Sequence, residues 1–423
     1  MENEKDIYRS SRILYIIASA LEYFIAILTG TAYLAKIAGS IGISDGTIGV
    51  LSSFVALGCT FQIVSLAMRS DKPVKRMVTL INLANQLCFT LLYVIPIVDL
   101  PKNVKTAVFT ALLLLGNVLL NIPFSPKVTW SRSLVADEKR GFFSASCEMT
   151  SLISGMVFTA LAGRMIDTFE ENGNQRGAFI VCSIAILVIT ISHALCLTFM
   201  KEKEPEEVKD STSLTQRLKS AITDRNTLAL IPVFVLWNMA LYVTTPFFGT
   251  YQLNELSLTM TTISLISIAH AIVRSVVSIP IGMLGDKRSF TTSMSLSLVA
   301  MSTGLIINSL GGMLSHVVFY MLYAITMAGM NSGVMNLIFD YVPEKKRTGA
   351  VATLYTIGGL VGFLSTLAVK PLVDTIQSNG NRFLFIDGVY AQQILSVFGA
   401  LLTVATLVYI NLCVRKLTKA KHL

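Results

Sequence analysis

Residues 280 to 291, Pro280-Ile281-Gly282-Met283-Leu284-Gly285-Asp286-Lys287-Arg288-Ser289-Phe290-Thr291, close one long apolar segment of the chain. Residues 65 to 76, Ser65-Leu66-Ala67-Met68-Arg69-Ser70-Asp71-Lys72-Pro73-Val74-Lys75-Arg76, close another far upstream. Each stretch holds a small residue, three more, then Asp-Lys, and each reads as a short loop at the end of an apolar run. A second echo supports the pairing. Asp137-Glu138-Lys139-Arg140-Gly141 matches Pro343-Glu344-Lys345-Lys346-Arg347-Thr348-Gly349, again just before an apolar run. Short motifs recurring at equivalent places in two halves mark an internal duplication, which is how many membrane carriers are built.

Composition points the same way. Hydrophobic residues make up 53% of the chain and charged residues 14%, with a mean hydropathy of +0.65. Soluble domains carry about 25% charge, so this chain has too little polar surface to cover 423 residues in water. The cysteines Cys59, Cys88, Cys147, Cys182, Cys196 and Cys413 all lie in apolar stretches without a CxxC spacing. Neither a metal site nor a disulfide framework is expected from them. No cleavable signal peptide is expected, because the first apolar run is longer than an h-region. No P-loop or soluble catalytic domain is visible, so the reading is of a non-enzyme without cofactors.

A bilayer core needs about 20 apolar residues per helix. Spans are predicted at 13–37, 46–67, 77–98, 105–126, 141–165, 178–200, 227–250, 257–283, 290–310, 313–339, 348–370 and 388–412. The turn between the ninth and tenth is placed near Gly311-Gly312. A polar stretch splits the spans into two sets of six. The expected units are 1–200, a linker over 201–225, and 226–423. Leu214, Leu218 and Ile222 suggest an amphipathic helix in the linker, lying on the inner leaflet.

Orientation follows the lysines and arginines. With both termini cytoplasmic, the outer ends hold only Lys36, Lys102, Lys105, Arg164, Arg176, Lys370 and Arg382 of the 34 basic residues. Arg274 falls inside a span, and all the others are cytoplasmic, Lys127 among them. The net charge of +9 is therefore a topology charge facing an anionic leaflet, and no nucleic-acid partner is needed to explain it.

The chain resembles a major facilitator superfamily transporter over essentially its whole length. The resemblance rests on the twelve spans, their 6+6 division and the paired loop motif after spans 2 and 8. In that family the motif is Gly-xxx-Asp-Arg/Lys-x-Gly-Arg-Arg/Lys. The first copy keeps Asp71, Lys72, Lys75 and Arg76 but has Ala67 and Val74 where glycines are usual. The second keeps Gly282, Asp286 and Lys287 and lacks the later basic pair. The resemblance implies an all-α membrane protein, two pseudo-symmetric six-helix bundles with both termini cytoplasmic. It also implies gating loops in which Asp71 faces the start of span 11 and Asp286 the start of span 5. A carboxylate near a helix N-terminus is favourable in any fold, and the alternative is that these charges only enforce topology.

Ionisable groups at bilayer depth cost about 2.5–3.5 kcal/mol each on insertion scales. Glu22, Glu148, His270 and Arg274 are such groups. At about 1.5 Å per residue, Glu22 and Arg274 lie about 13 Å from the cytoplasmic ends of their helices and Glu148 about 10 Å. Arg274 needs a counter-charge, with Glu148 and Glu22 both open as its partner. A carboxylate that gains and loses an arginine changes its affinity for a proton, which is the physical core of proton coupling. His270, one turn from Arg274, could share that role. A static pair that fixes helix register is the competing reading.

By the same resemblance, spans 1, 4, 7 and 10 line the solute path. They offer Tyr23, then Asn117 and Asn121, then Trp237, Asn238 and Tyr242 ahead of a kink at Pro246, then Asn331 and Asn336. Amides also bind membrane helices together, so each asparagine has a structural alternative. Asn82 and Gln86 in span 3 read as packing, as do Gly358, Gly359 and Gly362 in span 11. The expected function is proton-coupled uptake of a small polar or carboxylate-bearing solute by alternating access. A monomer is expected, in a bacterial-type inner membrane. A proton-driven exporter is the alternative, although span 5 has Ser154-Gly155 without the exporters' proline and span 4 has Asn117 in place of their arginine. A non-transporting sensor and a lipid flippase are weaker, for want of a cytoplasmic output domain and of an apolar lining.

Overall fold

The structure is a computed structural model and describes residues 7–67, 73–136, 139–203 and 224–417. Asp71, Lys72 and the amphipathic helix expected around Leu214 lie outside the described residues. Among the described residues, twelve helices are long and apolar enough to cross a membrane. Spans 1 to 6 are Arg9–Leu28, Asp45–Val64, Lys75–Val94, Lys102–Ser133, Phe142–Glu171 and Gln175–Phe199. Spans 7 to 12 are Arg225–Glu255, Met260–Lys287, Phe290–Asn308, Met313–Tyr341, Gly349–Ser378 and Ala391–Lys416.

Local chemistry sets where several of them start. The carboxylate of Asp224 accepts from Thr227 N at 3.0 Å, and Asn174 Oδ1 accepts from Gly177 N at 2.9 Å. Thr259 and Ser289 cap spans 8 and 9 in the same way. Each cap satisfies one of the amides that a helix start leaves unpaired. Span 9 ends at Asn308 and span 10 starts at Met313. The turn between them is made by Gly311 (φ +78°) and Gly312 (φ +84°), a conformation that a side chain would strain.

Four expected spans are not single helices, the second of them dividing into Asp45–Ser52, Phe54–Thr60 and Gln62–Ala67. The segment 13–37 divides into Arg9–Leu28 and a second helix, Thr31–Ser40, with Gly30 between them. Span 4 is a helix Lys102–Asn121 followed, after Ile122-Pro123, by a second helix Phe124–Ser133. In span 7 the regular helix stops at Thr244 and a tighter turn over Thr245–Phe247 carries Pro246, as the kink expectation required. The second copy of the loop motif is also more regular than expected. Gly282, Asp286 and Lys287 sit in the last turns of the span 8 helix, which ends at Lys287.

The chain divides into two compact units. The first comprises residues 1–43 and 61–211, the second residues 44–60 and 212–423. Most of span 2 thus packs with spans 7 and 11 in the second unit. Its close approach is made possible by glycines: a Cβ on Gly49 would stand 2.0 Å from the Phe247 ring, and one on Gly359 would stand 2.5 Å from Ala56 O. The second unit's main core gathers Phe234, Trp237, Met294, Leu298, Met301 and Phe319. Outward faces are apolar too, as in Met149, Ile153, Val157 and Leu161, which stay exposed at four-residue spacing along span 5.

Candidate functional site

The first unit holds a charge pair that the sequence reading did not assemble. Lys127 Nζ donates to Glu22 Oε2 in an ion pair between spans 4 and 1. The Lys127 side chain is 9% exposed and that of Glu22 30%. Lys127 was expected in a cytoplasmic loop. It lies instead in the second helix of span 4, whose first intrahelical bond runs from Lys127 N to Pro123 O at 2.9 Å. The prolines at 123 and 126 made the span look finished there. The signal that it continues is the row Lys127, Trp130, Ser131 and Leu134, all buried and spaced as one helical face.

A buried pair of this kind has paid a large desolvation cost, and removing one partner leaves an uncompensated charge. Its surroundings are polar. The Tyr15 hydroxyl bonds Ser131, and Tyr15 interacts electrostatically with both Lys127 and Glu22. His193 in span 6, with no exposed surface, also interacts electrostatically with both. Its Nδ1 is 3.0 Å from Gln86 Nε2 in span 3, and its buried Nε2 has no hydrogen-bond partner among the described residues. Gln86, expected to serve packing alone, therefore orients this ring. His193 was missed by sequence reading because a single histidine in an apolar run gives no indication of its neighbours.

The other predicted residues divide between the units. In the first, Tyr23 packs where a Cβ on Gly155 would stand 2.4 Å from its ring. Asn117 donates to Leu113 O at 2.8 Å and Asn121 to Asn117 O at 2.9 Å, while Gln62 of span 2 donates to Asn121 Oδ1 at 2.9 Å. Both asparagines are buried, and these bonds fit helix packing. Glu148 is exposed on span 5.

In the second unit, Trp237 is enclosed in the core. Asn238 donates to Phe234 O at 2.8 Å. Cβ atoms on Gly358 and Gly362 would come within 2.6 Å of Asn238 Nδ2 and the Tyr242 ring, which is the close packing the span 11 glycines predicted. His270 lies 5.4 Å from the Tyr323 ring and 5.8 Å from the Tyr320 ring, centre to centre, and its buried Nε2 has no hydrogen-bond partner among the described residues. Arg274 is half-buried one turn away, and Asn331 is exposed where Asn336 is half-buried.

At the helix ends, Lys75 N donates to both Glu202 oxygens at 3.3 Å, so that a carboxylate covers the start of span 3, with Arg76 exposed beside it. Asp286 and Lys287 are exposed. Asp224 pairs with Lys346 Nζ at 3.2 Å as well as capping span 7. Burial raises the proton affinity of Asp224, but the Thr227 amide and hydroxyl and the Lys346 ammonium outweigh it and hold the pKa below the ordinary carboxylate value. At the other end of span 7, Asn254 Nδ2 donates to both Asp45 oxygens at 2.8 and 3.0 Å. Gln377 Nε2 reaches Asp45 at 2.7 Å and Glu255 at 3.3 Å. Spans 2, 7 and 11 are thereby joined at one end by amides bridging carboxylates.

A sequence profile described as Major Facilitator Superfamily matches residues 15–374. No curated protein sequence matches the chain. Among solved structures it is similar to the nucleoside transporter NupG, at 11% identity and a TM-score of 0.72 over 96% of this chain and 99% of that one. A peptide transporter of the POT family in an autoinhibited form matches at 11% identity and a TM-score of 0.68, over 97% and 98%. A D-xylose–proton symporter matches at 13% identity and a TM-score of 0.63, over 93% and 96%. The likeness at these identities is one of fold. With the profile covering most of its length, the chain is a multi-pass integral membrane protein and belongs to the Major Facilitator Superfamily.

Proposed function

We propose that this protein is a proton-coupled importer of a small polar, carboxylate-bearing solute, acting as a monomer by alternating access in a bacterial-type inner membrane. The observation that carries the reading is the Glu22–Lys127 ion pair. With Lys127 enclosed, neither charge can lose the other without replacement. Protonation of Glu22 frees the Lys127 ammonium, and a solute carboxylate is the natural second partner for it. When the solute leaves, Lys127 returns to Glu22 and the proton is expelled. Proton and solute then travel together because each is bound only when the other has prepared its place. Glu148 in the first unit, and Arg274 and His270 in the second, are further candidates for holding charge. Among structures of the same fold are proton symporters for D-xylose and fucose, which supports the coupling half of this proposal.

The first test is a thermal-shift screen of the purified protein against small carboxylates, sugars, nucleosides and lipophilic cations, at acidic and neutral pH. A ligand that binds only the folded state raises the apparent melting temperature. The expected hit is a carboxylate that stabilises the wild type more at acidic pH and does not stabilise Lys127→Gln. A response confined to lipophilic cations would replace this reading with the exporter.

A further inference from the structure

Among the described residues of the second unit, the most exposed large apolar side chain, Phe385, lies in the loop between spans 11 and 12. Strand β1 (Arg382–Phe383) pairs antiparallel with β2 (Ile386–Asp387), with Arg382 opposite Asp387 and Phe383 opposite Ile386. Leu384 and Phe385 form the two-residue turn. Leu384, Phe385 and Ile386 are 73%, 91% and 63% exposed. The root of the hairpin is fixed. Phe383 packs against the cluster of Val373, Ile376, Ala391 and Leu395, Val389 N donates to Asn381 O at 3.0 Å, and Arg382 and Asp387 form an ion pair at 3.2 Å. The tip is therefore held out on a built support, with its charges at the base and its apolar side chains at the end.

Backbone conformation adds a second observation. Leu384 has φ +55°, at the first turn position, where glycine is the ordinary choice in hairpins of this length. A bulky residue there is strained, and such strain persists only where surrounding structure imposes it. Here the strained residue holds its own apolar side chain out at the turn, directly before Phe385, the most exposed of the three tip residues.

We propose that the Leu384-Phe385-Ile386 tip inserts into the lipid interface of the leaflet on the side away from the chain termini. The bilayer is the occupant because the hairpin continues a surface already facing lipid. It joins two spans whose outward residues Leu360, Leu364 and Leu367, and Val397, Phe398 and Leu401, are exposed and apolar. Val397 is only about 9 Å along its helix from the start of span 12, at about 1.5 Å per residue. The polar layer beyond the hydrocarbon is about 5–8 Å deep on each side, so the hairpin root stands at headgroup level. A tip with apolar residues on a charged base matches the chemistry of that layer. Anchored there, the hairpin ties the ends of spans 11 and 12 to the membrane surface, next to the Gln377 contacts that join span 11 to spans 2 and 7.

The test places a fluorophore at the tip. Phe385→Trp in the full chain is reconstituted into phosphatidylcholine vesicles, with wild type giving the background from the two native tryptophans, Trp130 and Trp237, both buried. The expected result is emission quenched strongly by lipids brominated near the headgroup, weakly by lipids brominated at the chain ends, and protected from aqueous iodide. Quenching by iodide without quenching by bromolipids puts the tip in water and overturns the proposal. Protection from both quenchers means that a protein surface covers the tip, and overturns it equally. Leu384→Trp serves as the second reporter should Phe385→Trp fail to assemble.

Discussion

Two buried histidines, one in each unit, face a glutamine side chain, and their surroundings differ. His316 in span 10 has both ring nitrogens engaged, Nε2 with Gln252 Nε2 at 3.1 Å and Nδ1 with Asn308 Oδ1 at 2.9 Å. Asn308 passes the chain on to Ser396 Oγ at 2.8 Å, and Phe248, Tyr251 and Tyr320 enclose the ring. His193, among the described residues, has Gln86 on one side only, and an ion pair in place of an aromatic box. Burial is the same in both, with no exposed surface on either. What separates the two rings is the company they keep, and it is the ring beside the Glu22–Lys127 pair that the proposal draws on.

The largest effect that could break this contrast comes from the ion pair. Lys127→Gln strands the Glu22 carboxylate, and breaking such a buried pair costs about 3–5 kcal/mol. The loss should fall toward the lower end because Glu22 keeps 30% of its side-chain surface. The double variant Glu22→Gln/Lys127→Gln removes both charges and should recover most of that stability in thermal unfolding while remaining unable to accumulate solute. If the double variant is less stable than either single one, the pair is not the unit of charge balance.

Next in size is the histidine pair itself. His316→Ala takes away the ring nitrogens that face Gln252 Nε2 and Asn308 Oδ1, and each buried polar group left unsatisfied costs about 1–3 kcal/mol. It should lower the melting temperature without altering how uptake depends on pH. His193→Gln should do the reverse, with a small loss of stability and a displaced pH profile. A displaced profile in His316→Ala with none in His193→Gln would reverse the assignment.

The smallest effect is at the start of span 7. Asp224→Ala removes an N-cap, worth about 0.5–2 kcal/mol. Because the folded pKa is held below the ordinary value, this stabilisation is complete above the unfolded carboxylate value of about 3.9. It disappears as the pH falls through the folded value. Wild type and variant should therefore differ in melting temperature at neutral pH and converge in acid. A gap that widens on acidification would contradict the sign of the shift.

Much of the fold was legible in the residues because the bilayer imposes length and hydropathy on each span and the positions of Gly311-Gly312 and Pro246 mark real breaks. The inner structure of spans was not. Gly30 and Pro123 divide helices that hydropathy reads as continuous or finished, since apolar content is blind to backbone continuation. The same blindness hid half of the candidate site. Glu22 stood out as a carboxylate inside an apolar run, whereas Lys127 follows two prolines and resembles a loop cation until the burial of Trp130 and Leu134 shows which face it shares. Asn117 and Asn121 were visible as amides, but the atoms they bond were fixed by the packing of spans 2 and 4, which local sequence does not encode.

The most direct measurement of the central claim follows protons and solute together. Proteoliposomes loaded with a pH-sensitive dye receive the carboxylate identified by thermal shift on the outside, with no proton gradient imposed. Wild type should acidify the lumen as solute enters, and Glu22→Gln should exchange labelled for unlabelled solute without moving protons. Solute entry in wild type with no acidification, or equal acidification in Glu22→Gln, would contradict coupling through the Glu22–Lys127 pair.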